Sequence, residues 1–415
     1  MTLRRFLAGA LLLALPLLSG CDDDTLTAPQ AQDDLFSTYV SIGNSITAGF
    51  RSGGINSQTQ SESYAVLLAE QMETPFGIPE LVTPGCPPPF VSFFNDMGIP
   101  APERPQGTSA ETCGLRAPSP PLALNNVAVP SAQTLDVLSN QTSSTNALTQ
   151  FILGGRTQIE AALDANPTFA TVWVGNNDVL DPALRGTADV TPLEDFQSQY
   201  TTILDSLTSS PDFQGGVLVG VANVAFVPFF SPGPVYFALD QAGQFPPTFD
   251  VASNCDVQDP NTGLAPLVPL SVGFSLLGQA AQGQSVTLDC QAPDTDVLTL
   301  AEVGTLAQTV QQYNAFIQQQ ANERGLGYLN PNQVFGALYT NDDGDPDPTN
   351  DLIPKFPDRD SDRPFGQFFS LDGIHPSAST HRVVAAQLVQ VINETYDTSL
   401  TPPENVPALP GSGSQ

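Results

Sequence analysis

Basic residues are scarce in this sequence. Its 415 residues hold 12 lysines and arginines against 43 aspartates and glutamates, a formal net charge of −31. Lys355 is the only lysine. So negative a surface repels nucleic-acid phosphates and argues against a polynucleotide partner. Histidine is scarcer still: a histidine general base must be either His375 or His381. Cysteine is sparse too, and none of the five stands in a C-x-x-C spacing, so a zinc or thioredoxin-like site has no support. No metal or cofactor is expected. Long apolar runs are also missing. The most apolar one, residues 6–18, is too short to span a bilayer comfortably.

That run has a different use. Arg4 and Arg5 precede it, and Leu18-Ser19-Gly20-Cys21 follows it, the order of a secretory signal peptide over residues 1–20. The last four residues resemble a bacterial lipobox. The resemblance implies that Cys21 is acylated and anchors the chain to the bacterial cell envelope, at the outer membrane or cell surface, outside the cytoplasm. Losing residues 1–20 would remove two arginines and no acid, leaving a net charge of −33. Four cysteines then remain: Cys86, Cys113, Cys255 and Cys290. An even number in an exported chain predicts two disulfides. Three pairings are open; the sequential one is favoured because each pair then brackets one proline-rich insertion.

Residues 21–35 are polar and acidic and read as a flexible tether. Residues 398–415 are rich in proline, glycine and serine and read as a disordered tail. Between them, residues 36–397 form one domain in which strand and helix patterns alternate. Strands are predicted at 38–42, 125–129, 169–174, 216–221 and 327–329. Helices are predicted at 63–72, 134–138, 193–207, 300–321 and 377–396. Such alternation predicts an α/β fold of three α/β/α layers, with a parallel central sheet of about five strands. Three segments interrupt it, 74–121, 227–293 and 339–369, and read as disulfide-stapled or irregular insertions that shape a cleft.

The chemistry-bearing residues sit at predicted strand ends. Ser45 follows the first strand in Gly43-Asn44-Ser45-Ile46; the plain alternative is a helix N-cap. Gly175-Asn176-Asn177-Asp178 follows the third strand, where an asparagine amide can donate to an oxyanion; the plain alternative is turn chemistry. His375 lies in Asp372-Gly373-Ile374-His375-Pro376, with a carboxylate three residues upstream that can fix the imidazole's tautomer and stabilise its protonated form. The plain alternative is a loop histidine near a helix cap. His381 falls inside the last helix and reads as a surface or packing residue. Residues 341–347, Asn-Asp-Asp-Gly-Asp-Pro-Asp, resemble the start of a calcium loop, but no glutamate closes it and Pro346 interrupts it, so a solvated acidic loop is the better reading.

Taken in order, these blocks resemble the SGNH (GDSL-type) hydrolases. Gly-Asn-Ser-Ile matches the first family block, Asn126-Val127-Ala128-Val129-Pro130-Ser131-Ala132 the second, Gly-x-Asn-Asp the third and Asp-x-x-His the last. The resemblance covers about residues 36–396 outside the insertions, and it implies a flavodoxin-like fold and ester hydrolysis. It implies Ser45 as nucleophile, His375 as general base and acid, and Asp372 as its orienting carboxylate. Ser45, Ser131 and Asn177 would make the oxyanion hole. The sequence departs from the family at two places. Asn44 replaces the aspartate of the GDS signature, which is not the proton-relay member. Ser131 stands where glycine is usual, so its side chain would crowd the hole and its backbone would be strained.

The partner expected is an ester substrate: a lipid, a short acyl ester or an O-acetylated sugar. Phe226, Phe229, Phe230, Tyr236 and Phe237 in the second insertion tilt this toward an apolar acyl group. The rival is a catalytically silent surface lipoprotein that binds glycan or lipid; a structural envelope lipoprotein is the third reading.

Overall fold

The computed structural model describes residues 31, 33–113, 116, 117, 121, 123–139, 147–292, 295–340 and 351–409. The predicted signal peptide, Cys21, most of the tether and the acidic 341–347 segment lie outside the described residues. Among the described residues no helix is long and apolar enough to cross a membrane.

Apolar side chains on both faces of a strand demand cover on both faces. Four strands meet this condition: β1 (Tyr39–Gly43), β2 (Phe169–Trp173), β3 (Gly215–Val219) and β4 (Gly327–Leu329). They pair in that order, all parallel. The predicted strand at 125–129 runs alongside β1 without becoming a regular strand. It makes one parallel bridge, Ser41 to Asn126. The Val127 and Val129 N–H groups donate to the Ser41 and Gly43 carbonyls at 3.0 and 3.2 Å. The sheet thus has four full strands and a partial fifth.

Alternate residues of each strand face opposite layers. Val40, Ile42, Ala170, Val172 and Leu218 enter one core, shared with Ile203, Leu204, Val310 and Tyr313. Those four come from two long helices, Leu193–Thr208 and Leu300–Arg324. Tyr39, Phe169, Trp173, Val217 and Val219 face the other way, into a core with Tyr64, Leu68, Val384 and Leu388. The helices Tyr64–Gln71 and Ala378–Tyr396 carry that second group. The architecture is therefore the expected α/β/α sandwich.

The insertions are more ordered than irregular loops. Phe230–Pro232 pairs antiparallel with Leu267–Pro269, and Phe249–Val251 pairs parallel with Val286–Leu288. Helices Gly233–Gln241 and Leu270–Ala281 lie between these strands in the chain. A separate core joins side chains from all three insertions, among them Phe93, Tyr236, Phe274, Phe356 and Phe365. The 24 phenylalanines make this possible, since each buried ring removes a large apolar area from water. Disulfides join Cys86 to Cys113 and Cys255 to Cys290, the sequential pairing.

The tail also departs from expectation over its described part. Leu400 is buried, its carbonyl and N–H both bonded to the Asn393 side chain at 2.9 Å. Val406 and Leu409 pack on the insertion core. Apolar residues spaced through this proline-rich stretch hold residues 398–409 to the surface of the domain.

Candidate active site

In an open parallel sheet the C-terminal strand ends share one crevice. Here β1 ends into Asn44 and Ser45, β2 into Asn176 and Asn177, and β3 into Ala222 and Asn223. Residues from all three ends line one cleft with about 560 Å³ of empty space, together with His375. Its apolar walls include Leu180, Val224, Phe226, Phe335 and Phe369.

Ser45 opens a four-residue helix, Ser45–Ala48, capped by the Asn44 side chain, which accepts the Ile46 N–H at 3.2 Å. Gly43 precedes the turn because no side chain fits: a Cβ there would lie 2.1 Å from Thr47 Oγ1. Thr47 in turn bonds the Tyr64 hydroxyl at 2.8 Å, fastening the serine turn to the helix below it. Ser45 is buried but reaches the cleft.

The Asp372–His375 turn is built around the carboxylate. Oδ1 accepts the Ile374 N–H at 2.9 Å, the His375 N–H at 2.8 Å and the Ser370 hydroxyl at 3.1 Å. Oδ2 accepts the Gly53 N–H at 2.7 Å and lies 2.9 Å from His375 Nδ1. Gly373 turns the chain back with φ +68°, and a side chain there would strike the Phe365 ring. Burial alone would raise the Asp372 pKa, but the imidazole and these donors outweigh it and hold the carboxyl at about 2. Phe50 packs against the His375 ring, 4.9 Å between centroids.

Asn177 lines the same cleft, and its Nδ2 donates to the Ala132 carbonyl at 3.0 Å. Its neighbour Asp178 is fully buried and accepts both the N–H and the hydroxyl of Thr134 at 3.0 Å. These bonds tie the 131–134 loop to the β2 end. Burial raises the Asp178 pKa, so this carboxylate is a costly anchor. In the sequence Asp178 has no role of its own within the 175–178 turn; its bonds to Thr134 appear only in the folded chain.

Ser131 is exposed and does not line the cleft; its φ is +63°. It holds the left-handed conformation that suits glycine, with its side chain turned to solvent, so the expected crowding does not occur. His381 belongs to neither the cleft nor the surface. It is fully buried under Tyr64, whose N–H donates to its Nδ1 at 3.1 Å. Burial and the nearby Arg51 push its pKa down to about 3, which keeps it neutral. Of the five aromatics expected to meet substrate, only Phe226 lines the cleft; Phe230 and Tyr236 are core.

No protein-family model matches the chain, and no curated protein matches it. Among solved structures it is similar to LAE5, an alpha/beta hydrolase enzyme from the metagenome of Lake Arreo, Spain, at 12% identity and a TM-score of 0.37, over 86% of this chain and 94% of that one. It is also similar to Axe2, an acetylxylan esterase from Geobacillus stearothermophilus, at 12% identity and a TM-score of 0.36, over 88% of this chain and 96% of that one.

Proposed function

We propose that this chain is a serine hydrolase of carboxylic esters, of the SGNH (GDSL-type) family. One observation carries the reading: Ser45 and His375 wall the same cleft, and His375 Nδ1 is held by a buried, ionised Asp372. An imidazole fixed at Nδ1 presents Nε2 as the base. Ser45 Oγ attacks the ester carbonyl carbon while its proton passes to His375 Nε2. Collapse of the tetrahedral intermediate breaks the carbon–oxygen bond to the alcohol, which leaves with that proton. Water then attacks the acyl-Ser45 ester, giving a proton to His375, and the acid departs as Ser45 recovers its own.

The developing oxyanion meets the Ser45 backbone N–H and an N–H of Asn177, whose amide is oriented by Ala132. Each such donor contributes about 3 kcal/mol to the transition state. The Ser131 N–H is the third donor that the family resemblance implies, but Ser131 lies outside the cleft wall. Asn44 takes no part in the proton relay. Cys21 acylation and an envelope location belong to the same proposal, and mass spectrometry of the mature N-terminus tests them: an unmodified Cys21 would remove the anchor.

Labelling with a fluorophosphonate tests the nucleophile. The native chain should label and Ser45→Ala should not. Label persisting in the variant refutes the assignment, and no label in either favours the silent binding protein.

A further inference from the structure

Asn44 and Asn176 each precede a residue of the proposed chemistry, Ser45 and Asn177, and the mechanism uses neither. Both line the cleft, and they are 1% and 7% exposed. The orientation of each amide is fixed by its oxygen. Asn44 Oδ1 accepts the Ile46 N–H at 3.2 Å, and Asn176 Oδ1 accepts the Ala222 N–H at 2.9 Å. Each Nδ2 is therefore turned away from its cap, and each is buried without a hydrogen-bond partner among the described residues. A buried amide N–H left unmade is costly, so two of them on residues that line one cavity favour an acceptor supplied by a ligand.

The rest of the wall narrows the choice. The cleft is lined by no aspartate or glutamate among the described residues, although the chain holds 43 of them. Apart from Ser45 and His375, its polar side chains are the carboxamides of Asn44, Asn176, Asn177 and Asn223. Asn223 repeats the pattern, its Oδ1 accepting the Ala225 N–H at 3.0 Å. Each of the three asparagines spends its acceptor on backbone and keeps donors, in a cavity otherwise apolar. A hydrocarbon ester offers one acceptor, its carbonyl, which the proposed oxyanion hole already takes.

We propose that Asn44 and Asn176 donate to a second substrate oxygen close to the scissile ester, so that the cleft selects oxygen-substituted esters over hydrocarbon esters of the same shape. This rests on the ester-hydrolase reading and names its substrate class. A site built to bond a substrate oxygen rejects the analogue that lacks it, because its own buried groups are then left unpaired.

The test compares pairs in which an ether oxygen replaces one methylene. Methoxyacetate and butanoate esters of one phenol probe the acyl side. The 2-methoxyethyl and butyl esters of one acid probe the alcohol side. Each kcat/KM is divided by the rate of alkaline hydrolysis of the same ester. The native chain should favour the oxygen-bearing member of one pair by about tenfold or more, and the pair affected tells which side is read. Asn176→Asp and Asn44→Asp each keep the capping oxygen and the shape while exchanging donors for acceptors. The ratio should fall toward one or invert in both; thermal unfolding checks that each is folded. Equal corrected rates within both pairs overturn the proposal and leave the hydrolase reading standing, as does a ratio unchanged in both variants. No turnover of any ester overturns the hydrolase reading and this proposal with it.

Discussion

Replacing Asp372 with asparagine removes one charge and converts one acceptor into a donor, and the surroundings decide where that donor goes. The Oδ1 position faces two fixed backbone N–H groups and the rotatable Ser370 hydroxyl. The Oδ2 position faces one fixed N–H, from Gly53, and His375 Nδ1. The amide nitrogen therefore takes the Oδ2 position, where it meets fewer donors. It then donates to Nδ1, which drives the imidazole proton onto Nε2, the nitrogen that must accept from Ser45. The wrong tautomer should lower kcat by about 10⁴-fold. Stability falls as well. The carboxyl sits at about 2 against an ordinary 3.8, a difference that contributes about 2 kcal/mol at pH 7. Because the folded pKa is depressed, that contribution is complete well above pH 3.8 and is lost as pH falls through about 2. Hydrolysis of p-nitrophenyl acetate and urea unfolding at pH 7 measure the two effects. A variant keeping a tenth of native kcat would refute the tautomer argument, and an unmoved urea midpoint would refute the stability argument.

Ser131→Gly relieves a left-handed serine and should raise unfolding free energy by about 0.5–1 kcal/mol; a loss in urea unfolding counts against the strain. Gly43→Ala drives a methyl into Thr47 and should cost about 1–3 kcal/mol, displacing the Ser45 turn so that kcat falls with stability; a fully active, fully stable variant would contradict the close approach. His381 titrates at about 3 when folded against 6.5 in the open chain. Unfolded chains thus bind a proton that the native state refuses, and stability drops by about 2 kcal/mol from pH 6.5 to 5 on this account. His381→Gln should flatten that slope, and an unchanged slope in denaturation across this range rules His381 out as its source.

Strand positions were legible because apolar runs covered on both faces look alike wherever they fall, and β1 to β3 each came within two residues of the expected bounds. The segment at 125–129 carried the same signal yet forms one bridge, since Pro130 and the Asn125 and Asn126 side-chain bonds redirect its backbone toward the serine turn. Asp372 and His375 could be paired from their spacing alone. Nothing local announced Gly53 as a donor to Asp372, because 319 residues separate them. The insertion core was hidden for a related reason: its phenylalanines have no common period, and only the folded chain gathers three segments into one cluster. For His381 the sequence left surface and packing both open, and burial decides for packing, because a helical histidine declares neither its depth nor the Tyr64 N–H above it.

The clasp between residues 51–53 and 370–375 has a consequence in time. Ser52 donates its N–H to Ser370 and accepts from Leu371, while Gly53 completes the Asp372 shell. Ser45 and His375 therefore cannot meet until the 330 residues that follow Ser45 up to His375 (375 − 45) have left the ribosome. Contacts of such sequence separation close late and slowly. A growing chain thus carries an unarmed serine until residue 375 has emerged, and any truncation short of that residue remains without its base.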